Sequence, residues 1–187
     1  FNELALEFKP VATVGNLNAT GSETRRFTVD TAKPHTIALS TVATGLNSSA
    51  SSLNFNWTAT DATSSVVTCD LVIDSVVNKS VTHASGVLTN YTITNLAEGT
   101  HYWNVTCNDT VGNLNATGSE TRRFTVDTVV PSNIALNTGN ARNFSSSTVN
   151  LNWTATDATS SVVNCTLTVD NVVNKTGLYS ATGVMAN

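Results

Sequence analysis

The chain reads as all-β, a tandem array of antiparallel β-sandwich modules of about 97 residues. Duplication is the first ground. The block LNFNWTATDATSSVVTCDLVI at residues 53–73 returns as VNLNWTATDATSSVVNCTLTV at residues 149–169. A second block, VGNLNATGSETRRFTVDT, fills residues 14–31 and again 111–128, a shift of 97. A period this long has the size of a sandwich domain, not of one solenoid turn. Strict alternation is the second ground: Leu53, Phe55, Trp57 and Ala59 point one way, and Asn54, Asn56, Thr58 and Thr60 the other. The third is that no segment holds an apolar period of 3.6 residues long enough for a helix.

Composition fits that class. Charged residues are 12%, about half the usual share of about 25%. Ser and Thr together number 51 and Asn adds 23, so solubility rests on neutral polar groups. A net charge of -4 argues against a nucleic-acid partner, which prefers a basic surface. No apolar run reaches the roughly 18 residues of a membrane span. Phe1 opens no signal peptide, as expected of a processed chain or a fragment.

Taken in order, Leu4, Leu6 and Phe8 alternate with Ala5 and Glu7 and predict a half-buried head strand that Pro10 ends. Residues 14–31 match the tail of a module. Asp30 to Pro34, and its copy Asp127 to Pro131, read as short linkers stiffened by proline. The expected domains are a partial module at 1–31, a complete one at 32–128 and a partial one at 129–187.

Seven strands are expected in the complete module. Ile37 and Leu39 mark the first, and the stretch around Trp57 is the second. After a loop from Asp61 to Ser65, Val67, Cys69, Leu71 and Ile73 give the inner face of the third. Asp74-Ser75 reads as a hairpin turn leading into a fourth from Val76 to about Thr82. Val87 to Asn95 is the fifth, with Tyr91 and Ile93 inward. Trp103, Val105 and Cys107 face the core from the sixth. Asp109 to Gly118 is expected to be a loop, and Phe124 and Val126 anchor the seventh. The pair Arg122-Arg123, copied from Arg25-Arg26, reads as decoration of an edge strand.

The stretches LNWTATD, NCTL, LAEGTHYWNVTCNDTVGN and RRFTVDT followed by proline resemble immunoglobulin-like and fibronectin type III-like tandem repeats of bacterial and archaeal cell-surface proteins. The resemblance covers nearly everything after Val14. One departure is visible: Tyr102 alternates with Trp103, so it is expected outside, where the fibronectin pattern turns a tyrosine inward.

In that architecture the third and sixth strands are neighbours, which implies a bridge between Cys69 and Cys107; the alternative is two buried reduced thiols. Cys165 copies Cys69, and its expected partner lies past Asn187. The same architecture brings the linker and two loops to one pole, where Asp30, Asp61 and Asp109 stand. They read either as turn-forming aspartates or as ligands of calcium, the one cofactor to consider. Zinc is unsupported, because no Cys-x-x-Cys or nearby histidine exists.

Twelve Asn-x-Ser/Thr sequons are present: Asn18, Asn47, Asn56, Asn78, Asn90, Asn104, Asn108, Asn115, Asn143, Asn152, Asn164 and Asn174. Where the middle residue is Trp57, Val105, Trp153 or Cys165, it is expected in the core, so its asparagine faces outward. They read as acceptors of covalent glycans, or as a merely polar strand exterior. His35, His83 and His101 fall in separate elements, and no nucleophile elbow, zincin or phosphate-loop motif occurs.

These features point to a non-catalytic structural subunit of an extracellular or cell-surface, N-glycosylated fibre or stalk. Its partners would be copies of itself or neighbouring modules, set in line as a longer array or by a strand lent between subunits. Two rivals are an adhesin-type carbohydrate- or cell-binding module, and a spacer of a larger secreted enzyme.

Overall fold

A computed structural model describes residues 3–8 and 23–187. Every regular element among them is a strand, and no helix is long and apolar enough to cross a membrane. The strands are β1 (Glu3–Phe8), β2 (Glu23–Thr28), β3 (His35–Leu39), β4 (Leu46–Ser48) and β5 (Leu53–Thr60). There follow β6 (Val66–Ile73), β7 (Val76–Ala84), β8 (Thr89–Ile93), β9 (Gly99–Asp109) and β10 (Leu114–Asn115). The last are β11 (Arg122–Val126), β12 (Ser132–Leu136), β13 (Trp153–Thr156), β14 (Val162–Val169) and β15 (Val172–Ala181).

The described residues form two compact units, one from those up to 41 with 55–91 and 103–121, the other from 42–54, 92–102 and 122–187. The first unit holds the tryptophan-centred core. β3 pairs antiparallel with β5, bringing Leu39 opposite Trp57, and β8 lies in the same three-stranded sheet. β6 pairs antiparallel with both β7 and β9, and β10 adds to β9. Alternation does the sorting. Phe55, Trp57 and Ala59 of β5 and Val67, Cys69 and Leu71 of β6 are all fully buried. Across the ladder Leu71 faces Val105 and Ile73 faces Trp103, so one apolar row spans both strands. The Phe55 ring meets Trp103 edge-on at 4.9 Å, which joins the two inner faces of the sandwich.

The β6–β7 hairpin turns on Asp74 and Ser75, both left-handed at φ 51° and 67°, which gives the strands their matching twist. β1 and β2 pair antiparallel from Glu3 opposite Thr28 to Phe8 opposite Glu23, so the expected head strand is present.

The second unit contains the parallel pair β4–β11, with Phe124 opposite Leu46, and the antiparallel pairs β12–β13 and β14–β15. β14 and β15 turn on Asp170 and Asn171, again both left-handed. Ala155 and Val163 are buried here, while Phe144, Leu151, Trp153, Leu167 and Leu178 line an open cleft of about 1210 Å³.

Three expectations need adjustment. The loop from Asp109 to Gly118 contains β10, because Leu114 and Asn115 pair with Asn108 and Cys107. β4 was not expected at all. By covering one side of β11 it removes that edge from the Arg122-Arg123 strand. The fifth strand is shorter than expected, Thr89–Ile93, and its Tyr91 and Ile93 are half-buried rather than in the core. Tyr102 is 52% exposed, as its phase requires.

Candidate functional site

At one end of the first unit three carboxylates converge. Asp30 precedes β3, Asp61 follows β5, and Asp109 closes β9. Each offers an oxygen, and the three oxygens lie within 4.8 Å of one another. Among the described residues no other group of three His, Cys, Asp or Glu side chains comes together in this way.

Local backbone chemistry places each of them. Asp61 Oδ1 accepts the N–H groups of Thr63 (2.9 Å) and Ser64 (2.7 Å), an Asx turn that bends the chain out of β5. Asp109 Oδ1 accepts the N–H groups of Val111 (3.0 Å) and Asn113 (2.8 Å), and its Oδ2 accepts Asn113 Nδ2 (2.7 Å). Asp30 Oδ1 accepts Ala32 N–H (3.1 Å) and its Oδ2 accepts the Ser64 hydroxyl (2.9 Å). Asn113 Nδ2 also reaches the carbonyls of Asp30 and Ala32, and Asn115 Nδ2 donates to that of Pro34 at 2.9 Å. The loop after β9 thereby clasps the segment before β3.

The charges are sheltered unequally. Asp109 is only 4% exposed. Burial alone would raise its pKa, but hydrogen bonds from the Asn113 side chain and from the backbone N–H groups of Asn113, Val111 and Gly112 prevail. The net direction is downward, toward the ionised form. Asp61 is 9% exposed, and its Oδ2 is buried with no hydrogen-bond partner.

The second unit repeats the arrangement in part. Asp157 Oδ1 accepts the N–H groups of Thr159 (2.9 Å) and Ser160 (2.7 Å), and the Ser160 hydroxyl donates to Asp127 Oδ2. Asp127 Oδ1 is buried without a partner.

Cys69 and Cys107 form a disulfide between directly opposed residues of β6 and β9, while Cys165 is a free, half-buried thiol. Of the sequon asparagines, Asn47, Asn78, Asn90, Asn143, Asn164 and Asn174 are exposed. Asn56, Asn104, Asn108 and Asn152 are half-buried, and the Oδ1 atoms of Asn56, Asn104 and Asn152 are shielded without a partner. Asn115 is a different case: at 8% exposure, with Nδ2 bonded to Pro34, the nitrogen that would carry a sugar is tied inside the loop. Asn18 lies outside the described residues. The histidines do not meet: His101 packs against Phe124 at 5.2 Å and bonds the Ala97 carbonyl, and the His83 ring stands edge-on to Trp57.

Sequence reasoning had placed the three aspartates at one pole but missed Ser64, Asn113 and Asn115, which hold them there. The visible signal was the run of Asx residues spaced two to four apart, Asp109, Asn113 and Asn115, a pattern that favours side chain-to-backbone bonds.

No protein-family model and no curated protein sequence matches the chain. Among solved structures, fibronectin(III)-like modules of CbhA from Clostridium thermocellum are similar at 20% identity and a TM-score of 0.37, over 48% of this chain and 94% of that one. The PKD domain of an M14-like peptidase from a Thermoplasmatales archaeon is similar at 16% identity and a TM-score of 0.40, over 52% of this chain and 98% of that one. The fold is all-β, built among the described residues from antiparallel strand pairs together with the parallel pair β4–β11.

Proposed function

We propose that this chain is a non-catalytic, structural part of an extracellular stalk or fibre, in which a complete immunoglobulin-like module at 32–128 is followed by a partial one at 129–187 and the segment at 1–31 is part of a further module. The observation that carries this reading is the copied local structure. The Asx turn at Asp61 recurs at Asp157, and the hairpin turn at Asp74-Ser75 recurs at Asp170-Asn171. A unit reproduced down to its turns is what a repetitive spacer requires, whereas a catalytic chain needs one specialised site.

Two further features support an extracellular setting. A disulfide persists in oxidising compartments and is rare in a reducing cytosol. Six sequon asparagines are exposed, so sugar added there would cover strand and loop surfaces without disturbing the core. Asn115 is left out of the proposed acceptor set.

Intact-mass measurement of native material before and after deglycosylation, paired with negative-stain imaging, tests the reading. The expected result is a mass excess that deglycosylation removes, and linear particles. A bare polypeptide mass together with only dispersed monomers at high concentration overturns it.

A further inference from the structure

We propose that Asp30, Asp61 and Asp109 form a calcium site at the end of the first unit. The site stands apart from the structural role proposed above and neither requires the other.

Convergence of acidic groups alone would not carry this, since all three aspartates also serve as turn acceptors. Asp61 supplies the second observation. Two backbone N–H groups occupy its Oδ1, yet its Oδ2 is buried with nothing to bond, although the side chain is nine-tenths buried beside two other carboxylates. A buried carboxylate oxygen without a donor is rare in a native fold, and a cation is the partner that satisfies it. The repeat adds a third observation: Asp127, which copies Asp30, also has a buried oxygen without a partner, beside the matching Asp157 and Ser160.

Donor chemistry selects the ion. The group offers only hard carboxylate oxygens, with no thiolate or imidazole to favour zinc. Oxygens on opposite sides of a Ca²⁺ at roughly 2.4 Å stand about 4.8 Å apart, whereas Mg²⁺ at roughly 2.05 Å would bring them to about 4.1 Å. The three oxygens lie within 4.8 Å of one another, inside the span that ligands of a single Ca²⁺ at roughly 2.4 Å can cover. The bound ion would tie the segment before β3 to the loops after β5 and β9, the same three stretches that Ser64 and Asn113 already link.

Titration calorimetry with CaCl₂ on the chelator-treated full chain, with thermal melting in parallel, tests the proposal. Saturable binding and a raised melting midpoint are expected, with affinity in or tighter than the roughly 10⁻⁴–10⁻³ M range of extracellular modules. Asp61→Asn, which keeps shape and removes charge, should lose one equivalent or weaken that site at least tenfold. Asp30→Asn, at a half-buried position ahead of the sandwich, should do the same and serves if the first variant does not fold. No heat and no shift in melting at calcium well above that range overturns the proposal. So does undiminished binding in a folded Asp61→Asn or Asp30→Asn variant.

Discussion

Trp57 and Asp109 show at the scale of single residues how the two halves of the amino-acid alphabet are used here. Trp57 is fully buried, and Leu39 of the neighbouring strand lies opposite it. Trp57→Ala should cost about 3–5 kcal/mol, the usual range for deleting a buried aromatic, read from urea unfolding. Asp109 is buried as an anion instead, held by N–H donors that keep its pKa below the ordinary value. The unfolded chain therefore takes up this proton first as pH falls. Stability is fully present above the ordinary aspartate pKa of about 3.9 and is lost as pH drops through the lower, folded value. Melting midpoints measured from pH 6 downward should fall in that window. Asp109→Asn, less stable at neutral pH, should show a shallower fall there.

Strands and turns differ in how plainly the sequence announces them. β5, β6 and β9 were legible because each places apolar side chains at every second position, over seven residues in β5 and β6 and from Trp103 to Cys107 in β9, a pattern only a half-buried strand explains. β4 has three residues, Leu46–Ser48, and one apolar side chain, and it exists through pairing with the distant β11. Nothing local could reveal it. The aspartate cluster was legible only through the fold, since its members are far apart along the chain, and the hydroxyl and amide groups that fix it depend on loop conformations no periodicity encodes. The turn after β10 allows a sharper test. Gly118 has φ +61°, and a Cβ there would stand 2.6 Å from the Val105 carbonyl oxygen. Gly118→Ala should destabilise by more than about 1 kcal/mol, because the strained backbone and the close contact act together. An unchanged unfolding midpoint would show that the turn can relax.

For the molecule as a whole, a surface of Ser, Thr and Asn replaces the usual mixture of charges. With only 12% charged residues, surface ion pairs contribute little to stability, and screening them has little to remove. The melting midpoint should therefore move little between low and moderate NaCl, in contrast to its response to acid. A large downward shift with salt would show that long-range charge attraction matters more than the composition indicates. Removing the disulfide should have a far larger effect. The bond closes a loop with a sequence separation of 38, for which the chain-entropy model gives about 4 kcal/mol.

That bond also sets how far the protein can be stretched. A load applied to the two termini passes through the sulfur atoms, so the chain between Cys69 and Cys107 bears no tension and stays coiled when the rest gives way. With a separation of 38 and up to about 3.6 Å per extended residue, roughly 130 Å of slack is locked out of reach. Pulled singly in a force spectrometer, the reduced molecule should pay out that extra length, and the oxidised one should stop short of it.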